Sequence, residues 1–372
     1  MTAPTYPQAR MVADAVHAHF ARHISAARAR GAVEAESPSR EAITAIIDAA
    51  FWASLRREEG NAPKISLAFV PPDHSARTLT FAARLPLAPA VLAKVAPAVE
   101  RPGIHLGVWR TGDEFFVWGT TRDVPAFCMV VEVVMSGLLV IKHRSEPFGK
   151  FVNVAVLEGD QIKIVDEGVA KVVPDCPAMV QSLVGAGDQR SASGLTTVLI
   201  QLAASMRQTG HGGALLVVPA GSNEWRQSMA SPMQYEVEPP YSELASLSCA
   251  PAADPDDLKR AVDAIAGLTA VDGATVINDR YDLLSFGTKI VRKRGHAAVE
   301  WVNLTEPVEG SAPTRANPSQ LGGTRHLSAA QFVHDQRDAI ALVASQDGRF
   351  TIFKWSPVED MVHAHRVDAL LL

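Results

Sequence analysis

Apolar residues recur with helical spacing at the start of the chain. Between residues 8 and 30, Met11, Ala15, Phe20, Ile24 and Ala27 mark one face of a helix, and Gly31 stands where a helix C-cap takes glycine. Ser37-Pro38-Ser39-Arg40-Glu41 reads as the next helix start, with Ser37 as N-cap and Pro38 at the first helical position. Ile43, Ile46, Ile47, Ala50, Phe51 and Leu55 follow as an apolar face that needs a partner. The pattern then changes to that of strands, over residues 65–70, which stop at Pro71-Pro72, and over 78–85. Residues 86–99 predict a short helix opened by proline. A β-rich block follows over 104–110, 114–118, 126–135, 138–143, 152–157 and 161–165. Its tight turns, Thr111-Gly112-Asp113, Ser136-Gly137 and Glu158-Gly159-Asp160, predict antiparallel hairpins or a meander.

Pro174, Pro177, Gly185 and Gly187 interrupt residues 174–191, which reads as a linker. Beyond it the pattern is that of an α/β domain. Ser193 caps a helix to about residue 208, Thr209-Gly210-His211-Gly212-Gly213 turns the chain, and 214–218 is an apolar strand. Residues 223–251, with Pro232, Pro239, Pro240 and Pro251, read as irregular. Asp254 caps a helix over 255–265, and a strand pair follows with Asn278-Asp279-Arg280 as its turn. Residues 306–320, polar and proline-rich, read as a mobile loop. The expected organisation is an N-terminal α+β domain with antiparallel strands over 1–175 and a C-terminal α/β domain with a central mixed sheet over 193–356.

Composition narrows the function. The chain has 372 residues, 47% of them hydrophobic, as in a core-forming globular protein of two domains. A net charge of −5 offers no basic excess, so no nucleic-acid partner is expected. Cys128, Cys176 and Cys249 lack CxxC spacing, which argues against a disulfide framework or a zinc site and fits a reducing compartment. The longest apolar stretch, 127–141, contains Glu132, Ser136 and Gly137 and is too short to span a bilayer. With no visible signal peptide, the expected location is cytoplasmic. There is no GxxxxGK[ST] loop and no G-x-S-x-G elbow, and Gly185-Ala186-Gly187 lacks the setting of a dinucleotide fingerprint. His17, His19, His23, His363 and His365 read as surface residues rather than ligands.

Three segments carry candidate chemistry. Asp272-Gly273-Ala274 precedes a β-branched run, Gly323-Thr324-Arg325-His326 stands at a helix entry, and Ser345-Gln346-Asp347-Gly348 ends a strand. Together they supply carboxylates, a basic pair, hydroxyls and close-approach backbone, the inventory of a site for a metal-bound polyphosphate. Each also has a plainer reading: a turn aspartate, a strand-edge bulge at Gly273, a solvated helix start at Arg325-His326, and an Asp-Gly hairpin at Asp347-Gly348.

The order Gly213-Ala214-Leu215-Leu216-Val217-Val218, Asp272-Gly273-Ala274, Gly323-Thr324-Arg325-His326, Ser345 resembles the diadenylate cyclase (DAC) domain family over about 193–355. The resemblance implies joining of two ATP molecules into cyclic di-AMP. It implies Asp272, Arg325 and His326 as catalytic residues, with Asp272 and His326 as ligands to Mg²⁺ or Mn²⁺. Gly273, Ala274, Gly323, Thr324, Arg325, Ser345 and Asp347 would hold the nucleotide. It also implies self-association, at least a dimer with DAC domains face to face. Two departures reduce charge: the family's Arg-His-Arg reads Arg325-His326-Leu327, and its Ser-Glu-Glu reads Ser345-Gln346-Asp347. The alternatives are a nucleotide-binding pseudoenzyme and an interaction scaffold with the same fold. The front half, at Phe116-Val117-Trp118-Gly119-Thr120 and Phe148-Gly149-Lys150-Phe151-Val152-Asn153, resembles the DACNV sensor-type domain that precedes some DAC domains. It implies regulation by an unnamed ligand.

Overall fold

Helix α1 (Pro7–Arg28) begins with proline at its first position, where no N–H is needed, and carboxylate Asp48 accepts from the N–H groups of Thr5 and Tyr6 just before it at 2.7 Å. Helix α2 (Arg40–Ser54) is capped by Ser39, whose hydroxyl accepts from the Ala42 N–H at 3.2 Å. The cap is therefore Ser39 and not Ser37; Pro38 precedes the cap instead of opening the helix. The structure is a computed structural model and describes residues 5–29, 35–57, 60–74, 78–145, 150–185, 194–250 and 254–372. Gly31, Gly187 and Ser193 lie outside these. Two compact units divide the chain, Met1–Val165 with Leu372, and Asp166–Leu371.

The first unit continues with β1 (Ile65–Phe69), β2 (Thr78–Pro86), α3 (Pro89–Val95), β3 (His105–Thr111), β4 (Glu114–Thr121), β5 (Val130–Met135), β6 (Leu138–Arg144), β7 (Phe151–Glu158) and β8 (Gln161–Ile164). Their sheet order is β2-β4-β3-β1-β5-β6-β7-β8. The expected meander holds from β5 to β8 but breaks at β1, which pairs parallel with β3 (Leu67↔Leu106) and antiparallel with β5 (Leu67↔Val131). The excursion through β2 and α3 supplies the crossover that a parallel pair requires. One sheet face buries Leu67, Val131, Leu139 and Ile141 in a common core with Phe20, Ile24, Ile43, Ile46 and Ile47 of α1 and α2. Each such side chain contributes roughly 1.5–3 kcal/mol on burial. His19 belongs to this interior: its Nε2 lies 3.0 Å from Nε2 of His143, so it is not a surface residue.

The second unit contains α4 (Val169–Val172), α5 (Ala178–Leu183), α6 (Gly194–Gln208), β9 (Gly213–Val218), β10 (Tyr235–Tyr241), α7 (Glu243–Cys249), α8 (Pro255–Leu268), β11 (Ala274–Asn278), β12 (Leu283–Thr288), β13 (Val302–Thr305), β14 (Thr314–Ala316), α9 (Pro318–Leu321), α10 (Thr324–Asp335), β15 (Ile340–Ala344), β16 (Phe350–Ser356) and β17 (Met361–Arg366). The sheet is mixed, in the order β10-β12-β11-β9-β15-β16-β17-β13-β14. β9 is parallel to β11 and β13 to β17. Ala214, Leu216 and Val218 of β9 share a core with Phe332 and Val333 of α10. Strand alternation turns Leu215 and Val217 to the other face, and they are buried too.

Several expectations change here. The interval 174–191 contains α5, which buries Met179, Val180 and Leu183. Residues 223–251 hold β10 and α7, and 306–320 hold β14 and the start of α9. The unit runs past 356 because β17 pairs with both β16 and β13. His363 and His365 point into the interior from β17. Among the described residues no helix is long and apolar enough to cross a membrane.

Candidate functional site

The three chemistry-bearing segments meet at one end of the second sheet. β15 pairs antiparallel with β9 so that Ala344 faces Gly213, and β11 pairs parallel with β9 so that Thr275 faces Leu215. Continuing each strand by one or two residues sets Ser345, Gly212 and Asp272-Gly273 side by side. Arg325 reaches the same place from the first turn of α10: a Cβ on Gly212 would lie 3.0 Å from its Nη1 and 3.4 Å from Cγ of Gln346. Gly212 is thus the floor on which the guanidinium rests, a role invisible in sequence. Among the described residues, the side chains of Asp272, Thr324 and Arg325 form no hydrogen bond or ion pair. Asp272 and Thr324 are exposed and Arg325 is half-buried. Gly323 is the N-cap of α10 and brings no side-chain cap, which leaves the first N–H groups of the helix unpaired by a side chain.

Gly273 has φ +114°, and a Cβ there would stand 2.5 Å from the carbonyl carbon of Gly287 and 2.8 Å from the Thr288 nitrogen. Only glycine permits this approach of the β11 entry to the end of β12. Ala274 is buried at the first position of β11.

Ser345 and Asp347 take part in the β15–β16 hairpin. The Ser345 N–H donates to the Arg349 carbonyl at 2.9 Å, and the Gly348 N–H to the Ser345 carbonyl at 3.1 Å. A hydrogen bond from Ser345 holds the Asp347 carboxyl below the usual carboxylate range, assisted by the Arg349 N–H and by that residue's charge. The hairpin reading therefore describes the backbone, and Asp347 has local partners for its charge.

His326 does not stand open in the site. It is 2% exposed, packs edge-on against Phe353 at 6.0 Å and turns Nε2 to Thr351 Oγ1 at 3.4 Å. Its Nδ1 edge lies against Gly322. Burial pushes its pKa down to about 4, against the opposing pull of Asp347. The contacts of His326 are packing contacts: a neutral imidazole fixes the first turn of α10, and with it Arg325. Next to it Leu327, where the diadenylate cyclase pattern it resembles has arginine, is 40% exposed, and Gln346 is exposed as well.

A cleft of about 560 Å³, lined by Ser242, Ser246, Cys249, Asp279, Arg280 and Tyr281 among others, lies at the opposite end of β11 from Asp272. It does not contain the predicted site residues.

In the first unit, the stretch from α2 to β4 has an unusual internal contact: Trp118 of β4 lies over Gly107 of β3 and donates Nε1–H to the Val70 carbonyl at 2.8 Å. Residues 32–122 match the family described as probable sensor domain DACNV. The DACNV match includes the Phe116–Thr120 stretch but ends before Phe148–Asn153, of which Phe148 and Gly149 lie outside the described residues. No curated protein matches the chain. The DACNV stretch is also less than one folding unit, since its β1 is hydrogen-bonded to β5 outside it.

Proposed function

We propose that the second unit is a DAC-type domain that joins two ATP molecules into cyclic di-AMP, under control of the DACNV sensor domain. The observation that supports this most is the meeting of Asp272, Arg325 and Ser345 from three distant segments at one sheet end, with the side chains of Asp272 and Arg325 both unpartnered among the described residues. An unpaired carboxylate and an unpaired guanidinium kept near each other suit a ligand that carries both phosphate and metal.

In this reading Asp272 is the hard oxygen ligand for Mg²⁺ or Mn²⁺, with water completing the shell; it fits because it is exposed and uncommitted. When bound, the ion neutralises charge on the phosphate oxygens. Arg325 forks onto phosphate oxygens, and Thr324 and the first N–H groups of α10 add donors where the helix dipole favours anions. Gly273 and Gly212 let nucleotide and guanidinium lie close to backbone. His326 positions the helix start and stays neutral. Two ATP-bearing domains must meet face to face, so the active species is at least a dimer.

The exposed Leu327 and Gln346 support a second reading, in which the site binds nucleotide without turnover. Incubation with ATP and Mn²⁺ or Mg²⁺, followed by nucleotide chromatography, separates the two. Cyclic di-AMP should form with the native chain and disappear with Asp272→Asn, while the circular dichroism melt stays unchanged. ATP binding without product would favour the pseudoenzyme, and no binding at millimolar ATP would leave a scaffold.

A further inference from the structure

The C-terminal end of α10 carries a second cluster that the proposed reaction does not use. Asp335 closes the helix, and its side chain is 0% exposed. Its Oδ2 accepts the Lys293 N–H at 2.8 Å. Its Oδ1 is approached by three nitrogens: Gln331 Nε2 at 3.0 Å, His334 Nδ1 at 3.2 Å and His296 Nδ1 at 3.2 Å. One carboxylate oxygen has two in-plane lone pairs, and Gln331 and His334 already hydrogen-bond to it, so the His296 nitrogen stands close without a lone pair of its own to meet. A cation shared by the oxygen and the two imidazole nitrogens gives it a partner.

The geometry suits that cation. The three ligand atoms all lie within 4.8 Å of one another. Tetrahedral bonds of about 2.0–2.1 Å to imidazole and carboxylate place neighbouring ligand atoms roughly 3.3 Å apart, close to the N···O separations of 3.2 Å found here. The supporting contacts are present as well. Gln331 and the Lys293 N–H fix the carboxylate. Gln331 also accepts the Val299 N–H at 2.9 Å and donates to the Ala297 carbonyl at 3.1 Å, which ties the segment carrying His296 to α10. Such outer contacts orient ligands before the ion arrives. The side chains of His296 and His334 are 37% and 23% exposed, so an ion has a way in and a fourth position faces solvent. Trp355, edge-on to His334 at 5.8 Å, walls one side.

We propose that His296, His334 and Asp335 form a binding site for one divalent transition ion, zinc by preference. Two imidazoles and one carboxylate select Zn²⁺ over Mg²⁺, which prefers oxygen ligands. The cysteine spacing that argues against a zinc site does not bear on this one, because no thiol takes part. The site is separate from Asp272 chemistry: α10 runs about 16 Å between Thr324 and Asp335. An ion here clamps the far end of the helix whose first turn carries Arg325.

The test uses the full chain, stripped with chelator and without nucleotide, so its outcome does not depend on cyclase activity. Calorimetric titration with ZnCl₂ should show one equivalent more in the native protein than in a His296→Ala, His334→Gln double variant. That equivalent should bind at micromolar Kd or tighter and raise Tm by several degrees, and MgCl₂ should do neither. Counting the difference discounts zinc held by other histidines. His296→Ala alone, on the half-exposed segment off the helix, should weaken the same equivalent at least tenfold, and it suffices if the double variant fails to fold. Equal zinc stoichiometry and equal Tm response in the native protein and the folded variant would overturn the proposal.

Discussion

Two glycines at one sheet end answer differently to the same added methyl group. A Cβ on Gly273 meets the backbone of Gly287 and Thr288, and φ +114° is already hostile to any L side chain. Backbone cannot swing aside, so Gly273→Ala should cost about 3 kcal/mol or more and lower the melting temperature by many degrees. A Cβ on Gly212 meets first the end of a flexible arginine side chain. Gly212→Ala should leave the melt within about a degree or two, a shift of under 0.5 kcal/mol, but displace Arg325 and weaken ATP binding several-fold. Equal destabilisation by both substitutions would contradict this division. The departures from the family pattern can be tested in the same place. Leu327 and Gln346 are exposed, so Leu327→Arg with Gln346→Glu restores a cation and a carboxylate without disturbing the core. Product formation in the chromatographic assay should rise, and an unchanged or lower rate would mean that these positions do not face the nucleotide. The segments carrying Asp272, Arg325 and Ser345 could be singled out in sequence because each belongs to a short motif. Gly212 could not, because its part depends on the register between β9 and β15, and the burial of His326 could not, because a motif does not disclose which way a helix-start side chain points.

At the level of elements, legibility follows burial. The two long helices and the central strands could be read, since their apolar spacing is the imprint of a face turned inward. The edge strands of the second sheet, β10 and β14, could not. β10 reads Tyr-Glu-Val-Glu-Pro-Pro-Tyr, almost wholly exposed, and its two prolines argue against a strand unless it lies at an edge, where an N–H has no sheet partner to lose. β14 is the opposite edge, three residues long and also exposed for most of its length. The parallel pairing of β1 with β3 was hidden for another reason: hairpin turns announce antiparallel neighbours, but nothing local marks a return beside an earlier strand. That pairing sets an expectation for the sensor half. The matched stretch 32–122 leaves out β5 to β8 and α1, and with them Phe20, Ile24, Val131, Leu139 and Ile141 of the common core. A fragment of residues 32–122 should therefore aggregate or give a collapsed proton NMR spectrum, while 1–165 should show dispersed amides and a cooperative melt. A well-dispersed spectrum from the short fragment would mean that β1 does not need β5.

Across the whole molecule, buried neutral histidines set the response to acid. Burial pushes His105 down to about 4, with the charges of Lys142 and Arg144 adding to the shift, and pushes His365 down to about 3. His326, at about 4, is the third. In each case the folded chain refuses a proton that the unfolded chain accepts near pH 6.5. Stability from these groups is thus intact above about pH 6.5 and lost as pH falls from there toward 4. At about 1.36 kcal/mol for each pH unit between the folded and unfolded values, each is worth roughly 3–5 kcal/mol at full effect, an upper bound because a partly opened structure can admit water. Lys142, pushed down to about 8 by burial, is already charged throughout that window and does not alter the slope. The depressed carboxylates, such as Asp347 with its Ser345 hydrogen bond, begin to add their own loss only as pH falls to the ordinary carboxylate range, where the unfolded chain takes up protons. Each unit carries at least one of these groups: His105 lies in the first, and His326 and His365 in the second. Between pH 7.5 and 5 both units should therefore lose stability, each of these histidines contributing up to one proton of slope, near 1.4 kcal/mol per pH unit at its steepest. Hydrogen exchange followed peptide by peptide can read both units in one sample. Protection in β3, which carries His105, and in β17, which carries His365, should fall on acidification over this range, and protection unchanged from pH 7.5 to 5 would show that another group governs the acid response.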